Sequence, residues 1–208
     1  MALFTVLVQT ESLPSRSFSS TSSYDMLVFM VFLVDTIEET GRASNNDTIV
    51  SSVQEWRESI KDSIDALYFG LHSTLEAFWR TIFGDVMLDR RSTGRLGSHI
   101  GTIARLPPSE MEEKLLYSYL RLPGTGALCT RKRFFRTRIG RMGLGSVGIK
   151  PGDIVVVLLR GSVPFVLRKA HRGSYYLIGD SYVHGIMDGG IAEEWKAQKR
   201  ELEIFTLV

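Results

Sequence analysis

The stretch from Arg133 to Gly190 sets the terms for the fold, because three apolar runs follow one another in it, each cut by glycine or proline. Asp153 to Leu159 (DIVVVLL) is rich in valine and lies between Pro151-Gly152 and Arg160-Gly161-Ser162. A run of that length bounded by turn signals predicts a buried strand. Pro164 to Arg168 (PFVLR) begins after only Gly161, Ser162 and Val163, which predicts a hairpin. Tyr175 to Val183 (YYLIGDSYV) is the third run, and Gly179-Asp180 in its middle predicts a bulge or a sharp bend. Short strands with frequent turns and corner glycines predict a small barrel or a strongly bent sheet.

The rest of the chain reads as elements packed onto this stretch. Met26 to Val34 (MLVFMVFLV) is continuously apolar but too short for a spanning helix, which needs roughly 20 residues; it predicts a strand buried on both faces. Asp35 to Glu39 is expected to add a turn of helix, and Gly41 to Asp47 a polar loop. Three helices follow, each announced by an S-x-x-E capping box: Ser52 with Glu55, Ser73 with Glu76, Ser109 with Glu112. The first carries Val53, Trp56, Ile60, Ile64 and Leu67 on one stripe, and the second Leu75, Phe78, Trp79, Ile82 and Phe83, with Gly70 between them. Arg90 to Arg105 is expected as the least ordered internal loop, and Glu110 to Leu120 as the third helix. Glu193 to Arg200 predicts a short helix anchored by Trp195, and Leu202 to Val208 a closing strand. The expected class is α+β: a small C-terminal β-barrel built from 26–34 and 132–208, with about three helices in 51–122. Residues 25–208 form one domain behind an irregular segment, 1–24.

Composition narrows the function. The chain has 208 residues and a net charge of +2, too small to argue for a nucleic-acid partner. Its single cysteine, Cys129, excludes an internal disulfide and suits a reducing compartment. The four histidines, His72, His99, His171 and His184, show no metal-ligand spacing, so neither metal nor cofactor is expected. The opening MALFTVLVQT lacks the basic lead of a signal peptide, and Ser-rich Ser12 to Ser23 lacks the amphipathic basic pattern of a transit peptide. A cytoplasmic location and no membrane association are the expectation.

Three motifs carry possible chemistry. Gly143-Leu144-Gly145-Ser146-Val147-Gly148 matches G-x-G-x-x-G, but Lys150-Pro151-Gly152 follows and leads into a strand, so no helix can start to receive a pyrophosphate. Tight β turns are the expected role of these glycines. Arg131, Lys132, Arg133, Arg136, Arg138 and Arg141 crowd around Phe134 and Phe135, a mixture that can bind nucleic acid; the plainer reading is a strand with one solvated basic face. His184 and Asp188 could form half of a hydrolytic triad with Cys129 or a serine as nucleophile, yet no nucleophile elbow exists. The plainer reading places His184 in a turn after a strand, hydrogen-bonded in position.

A family resemblance adds to this. Ala77-Phe78-Trp79-Arg80-Thr81, Arg133-Phe134-Phe135-Arg136-Thr137, Gly143-Leu144-Gly145, Pro151-Gly152-Asp153, Val163 to Arg168 (VPFVLR) and Tyr182 to Gly189 (YVHGIMDG) together resemble the C-terminal half of fungal heterokaryon incompatibility proteins. The likeness covers roughly Met26 to Val208. Ser146 stands where the family usually has proline, Gly190 where an acid is usual, and Asp180 keeps an acid with a shorter arm. The family's N-terminal effector domain, associated with cell death on fusion of unlike strains, does not fit in residues 1–24. The chain therefore reads as a C-terminal module alone: a shortened paralogue, a gene remnant or a truncated gene model. The resemblance implies a non-catalytic role in nonself recognition through a protein partner. Gly143, Gly145, Gly152, Asp153, Tyr182, His184, Asp188 and Gly189 are the candidate binding or turn-forming residues.

Overall fold

The structure, a computed structural model, describes residues 27–89, 92–95, 117, 120, 128–159, 161, 163–187 and 201–208. All three apolar runs of the opening stretch are strands: β8 (Ile154–Leu158), β9 (Pro164–Lys169) and β10 (Ser174–Val183). β8 and β9 form the expected hairpin, and β10 shifts register against β9 between Leu177 and Gly179. Ahead of them come β6 (Lys132–Thr137) and β7 (Met142–Ser146), and β11 (Glu203–Leu207) closes the chain.

The first strand departs from expectation. β1 runs from Leu27 to Ala43, so Asp35 to Glu39 is strand and not a turn of helix. The cause is pairing with distant partners: Thr36 faces Ile154 of β8, and Ile37 and Glu39 face Thr137 and Arg136 of β6. Ile37 is buried there, which outweighs the polar local sequence. β1 changes partner along its length. Its first part pairs with β11 and β8 and its last part with β6, and a bulge sits between Leu33 and Asp35.

The seven strands follow the order β11-β1-β6-β7-β10-β9-β8, with further pairings between β1 and β8 and between β10 and β11. The pairings therefore return to their start by two routes. One runs β1–β6–β7–β10–β9–β8–β1, and the other replaces β6 and β7 by β11. Both faces of the shared strands are buried. Val155 and Val166 belong to an apolar cluster with Phe135 and Val183, whereas the next residues, Val156 and Leu167, belong to another with Phe205. Successive side chains of a strand point to opposite faces, so the two clusters lie on opposite sides of β8 and β9. The unbroken apolar runs of the sequence reflect this two-sided burial.

The helical side is smaller than expected. Two helices occur among the described residues, α1 (Ile49–Glu58) and α2 (Thr74–Ile82), and not a three-helix bundle. Both share a cluster with Phe134, Met142 and Leu144, so β6 and β7 separate them from the cluster that holds Phe135. Of the third expected helix only Tyr117 and Leu120 are described; Tyr117 is helical and meets Trp79 edge-on at 5.6 Å. Its capping box, Ser109 with Glu112, and the Glu193 to Arg200 helix lie outside the described residues, as does the segment before Leu27.

α2 begins where its capping box places it: the Ser73 hydroxyl accepts the Glu76 N–H at 3.2 Å. The Glu76 carboxylate turns instead to Arg80, at 2.9 Å. The Ser52–Glu55 box is not used. α1 starts one turn earlier, after an Asx turn in which Asn45 Oδ1 accepts the N–H groups of Asp47 and Thr48 at 2.9 and 2.8 Å. Ser52 is left inside the helix, its hydroxyl buried without a hydrogen-bond partner. α1 also stops at Glu58, so Val53, Trp56 and Ile60 are buried while Leu67 is exposed on a separate strand. Two hairpins replace expected helix and loop: β2 (Leu67–Tyr68) with β3 (His72–Ser73), and β4 (Val86–Asp89) with β5 (Ser92–Arg95). Gly70, expected as a helix separator, is the turn of the first, and Ser92–Arg95 is strand where an unstructured loop was expected. No helix among the described residues is long and apolar enough to cross a membrane.

Candidate functional site

The β2–β3 turn places the site. Phe69 and Gly70 both take positive φ, 49° and 74°, and the Leu71 N–H returns to the Tyr68 carbonyl at 3.0 Å. That is the signature of a tight primed turn. It sends Leu67, Phe69 and Leu71 outward, leaves Tyr68 buried, and brings His72 against the end of β10.

Four side chains meet there. His72 Nε2 and His184 Nε2 are 2.8 Å apart, and the Tyr182 hydroxyl lies 3.0 Å from His184 Nδ1. The Tyr68 hydroxyl accepts the Met142 N–H at 3.0 Å and donates to the His184 carbonyl at 3.5 Å. Tyr68 stacks on His72, with ring centroids 6.1 Å apart. The helical side is thus tied to both β7 and β10. The His184 N–H bonds the Met142 carbonyl at 2.9 Å, so β10 continues its pairing with β7 into the turn.

Both ring nitrogens of His184 are engaged. Only one of the two facing Nε2 atoms can carry a hydrogen at 2.8 Å. Burial drives the His184 pKa down to about 3, and the neighbouring His72, Arg80 and Arg141 push the same way. His72 is also lowered, chiefly by burial, with Arg80 adding to the shift and Glu76 and Asp85 opposing it. The pair can hold two hydrogen-bonded arrangements. In one, Tyr182 donates to His184, which donates to His72; in the other, both bonds reverse. The two arrangements differ in the tautomers of both histidines and in the rotation of the Tyr182 hydroxyl.

A second buried polar group stands elsewhere. Asp153, expected to shape a turn, is fully buried before β8 and grips Arg168 of β9: Arg168 Nε donates to Oδ1 at 2.8 Å and Nη2 to Oδ2 at 2.8 Å. The same carboxylate accepts the Lys150 N–H at 2.9 Å, and Arg168 Nη2 also reaches the Gly148 carbonyl at 2.7 Å. Gly152 sits in that turn and donates its N–H to the Ile37 carbonyl at 2.9 Å.

Gly143 and Gly145 are not turn residues; they lie inside β7. Gly143 is a close approach. A Cβ there would come within 2.4 Å of the Phe135 ring and 2.5 Å of the Tyr182 carbonyl oxygen. At Gly145 it would meet Ile149 at 3.2 Å. Of the candidate residues, Gly143, Tyr182 and His184 are brought together, whereas Gly152 and Asp153 form the separate ion-pair turn. Asp188 and Gly189 lie outside the described residues. His72 and Tyr68 have no sequence signal as partners of His184, since 112 and 116 residues separate them from it.

The other two motifs look different in place. Phe134 and Phe135 are buried and offer no stacking platform. Lys132 pairs with Asp180 at 3.4 Å, Arg136 with Glu39 at 3.6 Å, and Arg133 donates to the Ile149 carbonyl at 3.4 Å. Cys129 is buried with its thiol donating to the Ile82 carbonyl at 3.0 Å, and burial pushes its pKa up to about 12.

A curved sheet whose pairings return on themselves, flanked by helices and crossed by a buried histidine–tyrosine chain, defines a β-rich module with an appended helical layer. Residues 111–206 match the family described as the Het-6 beta-barrel domain. The chain is also 38% identical over 65 residues to heterokaryon incompatibility protein 6, OR allele, of Neurospora crassa, a match covering 30% of this chain and 10% of that protein. The chain thus spans about a tenth of the length of that relative. No solved structure matches. The likeness to heterokaryon incompatibility proteins drawn from the residues is borne out over this part of the chain.

Proposed function

We propose that this chain is a non-catalytic recognition or regulatory module of a fungal heterokaryon-incompatibility system, acting in the cytoplasm through a protein partner. The match of residues 111–206 to the Het-6 beta-barrel domain carries this reading. The two closed pairing routes agree with a barrel as its scaffold. A binding role is favoured over hydrolysis because His184 has both nitrogens engaged by Tyr182 and His72, and because the Cys129 thiol is buried with a raised pKa. It is favoured over nucleic-acid binding because Lys132, Arg133 and Arg136 of the basic stretch are held by internal partners and its two phenylalanines are buried.

The test is a fusion assay. The chain is expressed in one of two compatible fungal strains, and heterokaryon growth and cell death are scored after fusion, with a buried-core variant, Trp79→Asp, as the unfolded control. A change in fusion outcome that the control lacks is expected. Fusion indifferent to the wild-type chain would sink the reading.

A further inference from the structure

We infer that the groove between the β2–β3 hairpin and the β6–β7 turn receives a partner-protein segment with an apolar anchor side chain and acidic residues beside it. The inference rests on the binding-module reading above and names the chemistry of its partner. The groove encloses about 250 Å³ and is lined by Ile60, Leu67, Phe69, Ile139 and Met142, with Arg136 at its edge. Its apolar rim is open to solvent: Leu67 is 73% exposed, Ile139 55% and Phe69 46%, and Leu71 on the same hairpin 68%. Single exposed apolar residues mean little. Several gathered by two turn tips around one groove mark an interaction surface.

Charge selects the occupant. Arg138 and Arg141 flank Ile139 on the β6–β7 turn, and neither has a carboxylate within ion-pair distance among the described residues. Two nearby acids are already engaged: Glu39 holds Arg136 at 3.6 Å, and Asp35 accepts the Ile139 N–H at 2.9 Å. Arg141 lies over the Phe69 ring with its guanidinium carbon 4.7 Å from the centroid, and its Nε is buried without a hydrogen-bond partner. The exposed Arg138 guanidinium beside an apolar groove suits a carboxylate arriving with an apolar side chain. Exposed Asp62 and Asp65 lie in the chain beside Ile60 and Ser63, which line the groove. Both signs of charge therefore occur in the segments that line the groove, which disfavours a polyanion such as nucleic acid.

Fluorescence anisotropy on the full chain tests this with three fluorescein-labelled peptides of ten residues. All carry the same pair of leucine anchors, flanked in turn by glutamate, serine or lysine. The glutamate peptide is expected to bind about tenfold or more tighter than the lysine peptide, and to weaken as salt rises over a range that shortens the screening length. Arg138→Glu should weaken it about tenfold, and Leu67→Ser with Ile139→Ser should abolish binding, with unchanged thermal melts because these side chains are exposed. Absence of binding by all three peptides, or equal binding of the lysine peptide, overturns the proposal. So does a dimer in sedimentation that Ile139→Ser dissociates, since the occupant is then a second copy. Carrying Arg138→Glu into the fusion assay separates the two readings. A variant that loses peptide binding but keeps its effect on fusion removes the groove and leaves the module's function. Peptide binding by a wild-type chain that does not affect fusion does the reverse.

Discussion

Two buried polar clusters in this molecule are built on opposite principles. Asp153–Arg168 is fully charged and closed: two parallel hydrogen bonds, a backbone donor to the carboxylate and a carbonyl for the remaining guanidinium arm. It joins β8 to β9 and has one low-energy arrangement. His72–His184–Tyr182 is neutral and has two, and it joins separate layers, the helical side and β10. Burial alone does not distinguish them, since Asp153 and His184 are both buried. The number of hydrogen-bonding states does. The first cluster locks a corner of the sheet, and the second can respond to a change at its edge.

Breaking the lock should have the largest effect. Asp153→Ala leaves Arg168 without its carboxylate and Lys150 N–H without an acceptor, and should lower unfolding free energy by about 3 kcal/mol in urea titrations at neutral pH. A cost under about 1 kcal/mol would remove the distinction between the two clusters. Next comes Gly143→Ala, which drives a methyl into the Phe135 ring and the Tyr182 carbonyl. A loss of about 2 kcal/mol is expected, with altered near-ultraviolet circular dichroism from the displaced aromatics. A wild-type melt would mean that the approach of β7 to β10 is looser than described.

The histidine chain should show itself through pH. His184 has a folded pKa of about 3, below its ordinary value. Between the ordinary histidine range and that value the unfolded chain binds more protons than the folded one. The stabilisation is therefore complete above about pH 6.5 and declines as pH falls, with a limiting slope of about 1.4 kcal/mol per pH unit for one proton. Denaturant midpoints measured from pH 7 down to about 5, before most carboxylates titrate, should follow that slope, and His184→Gln should flatten it. An identical slope in the variant would show that another group is responsible. The smallest effect is expected at Ser52→Ala. Removing a buried hydroxyl that has no hydrogen-bond partner should be neutral or stabilising by up to about 1 kcal/mol in the same titration.

The strands from β8 to β10 were legible because each is an apolar run bounded by turn residues. α2 was legible because Ser73 and the Leu75–Phe78–Trp79–Ile82 face agree with each other. What local reading missed came from distance along the chain. Asp35 to Ala43 is polar and becomes strand only because β6 and β8 offer their edges. The α1 start moved because Asn45 captured the preceding turn, and the helix stripe failed at Leu67 because the chain had already turned. Of the candidate site, His184 and Tyr182 were visible as a motif. Their counterpart His72 was not, since neither spacing nor composition records that a hairpin tip reaches the far end of β10. Gly143 was visible as a glycine but misread as a turn, because a close approach between strands and a tight turn leave the same letter in the sequence.

The shared strands also set the order in which the molecule can be made. β1 exchanges partners along its length, and its first residues face the last strand: Leu27 pairs with Leu207 and Val31 with Glu203. A chain emerging from the ribosome must carry β1 with one side open through more than a hundred residues of synthesis. The cluster around Val31, Val156, Leu167 and Phe205 cannot close until β11 is released. Such long-range closure slows folding and prolongs the exposure of an apolar edge during translation. The unbroken valine and phenylalanine runs that make both faces of the sheet dry are, for that interval, its most aggregation-prone segments.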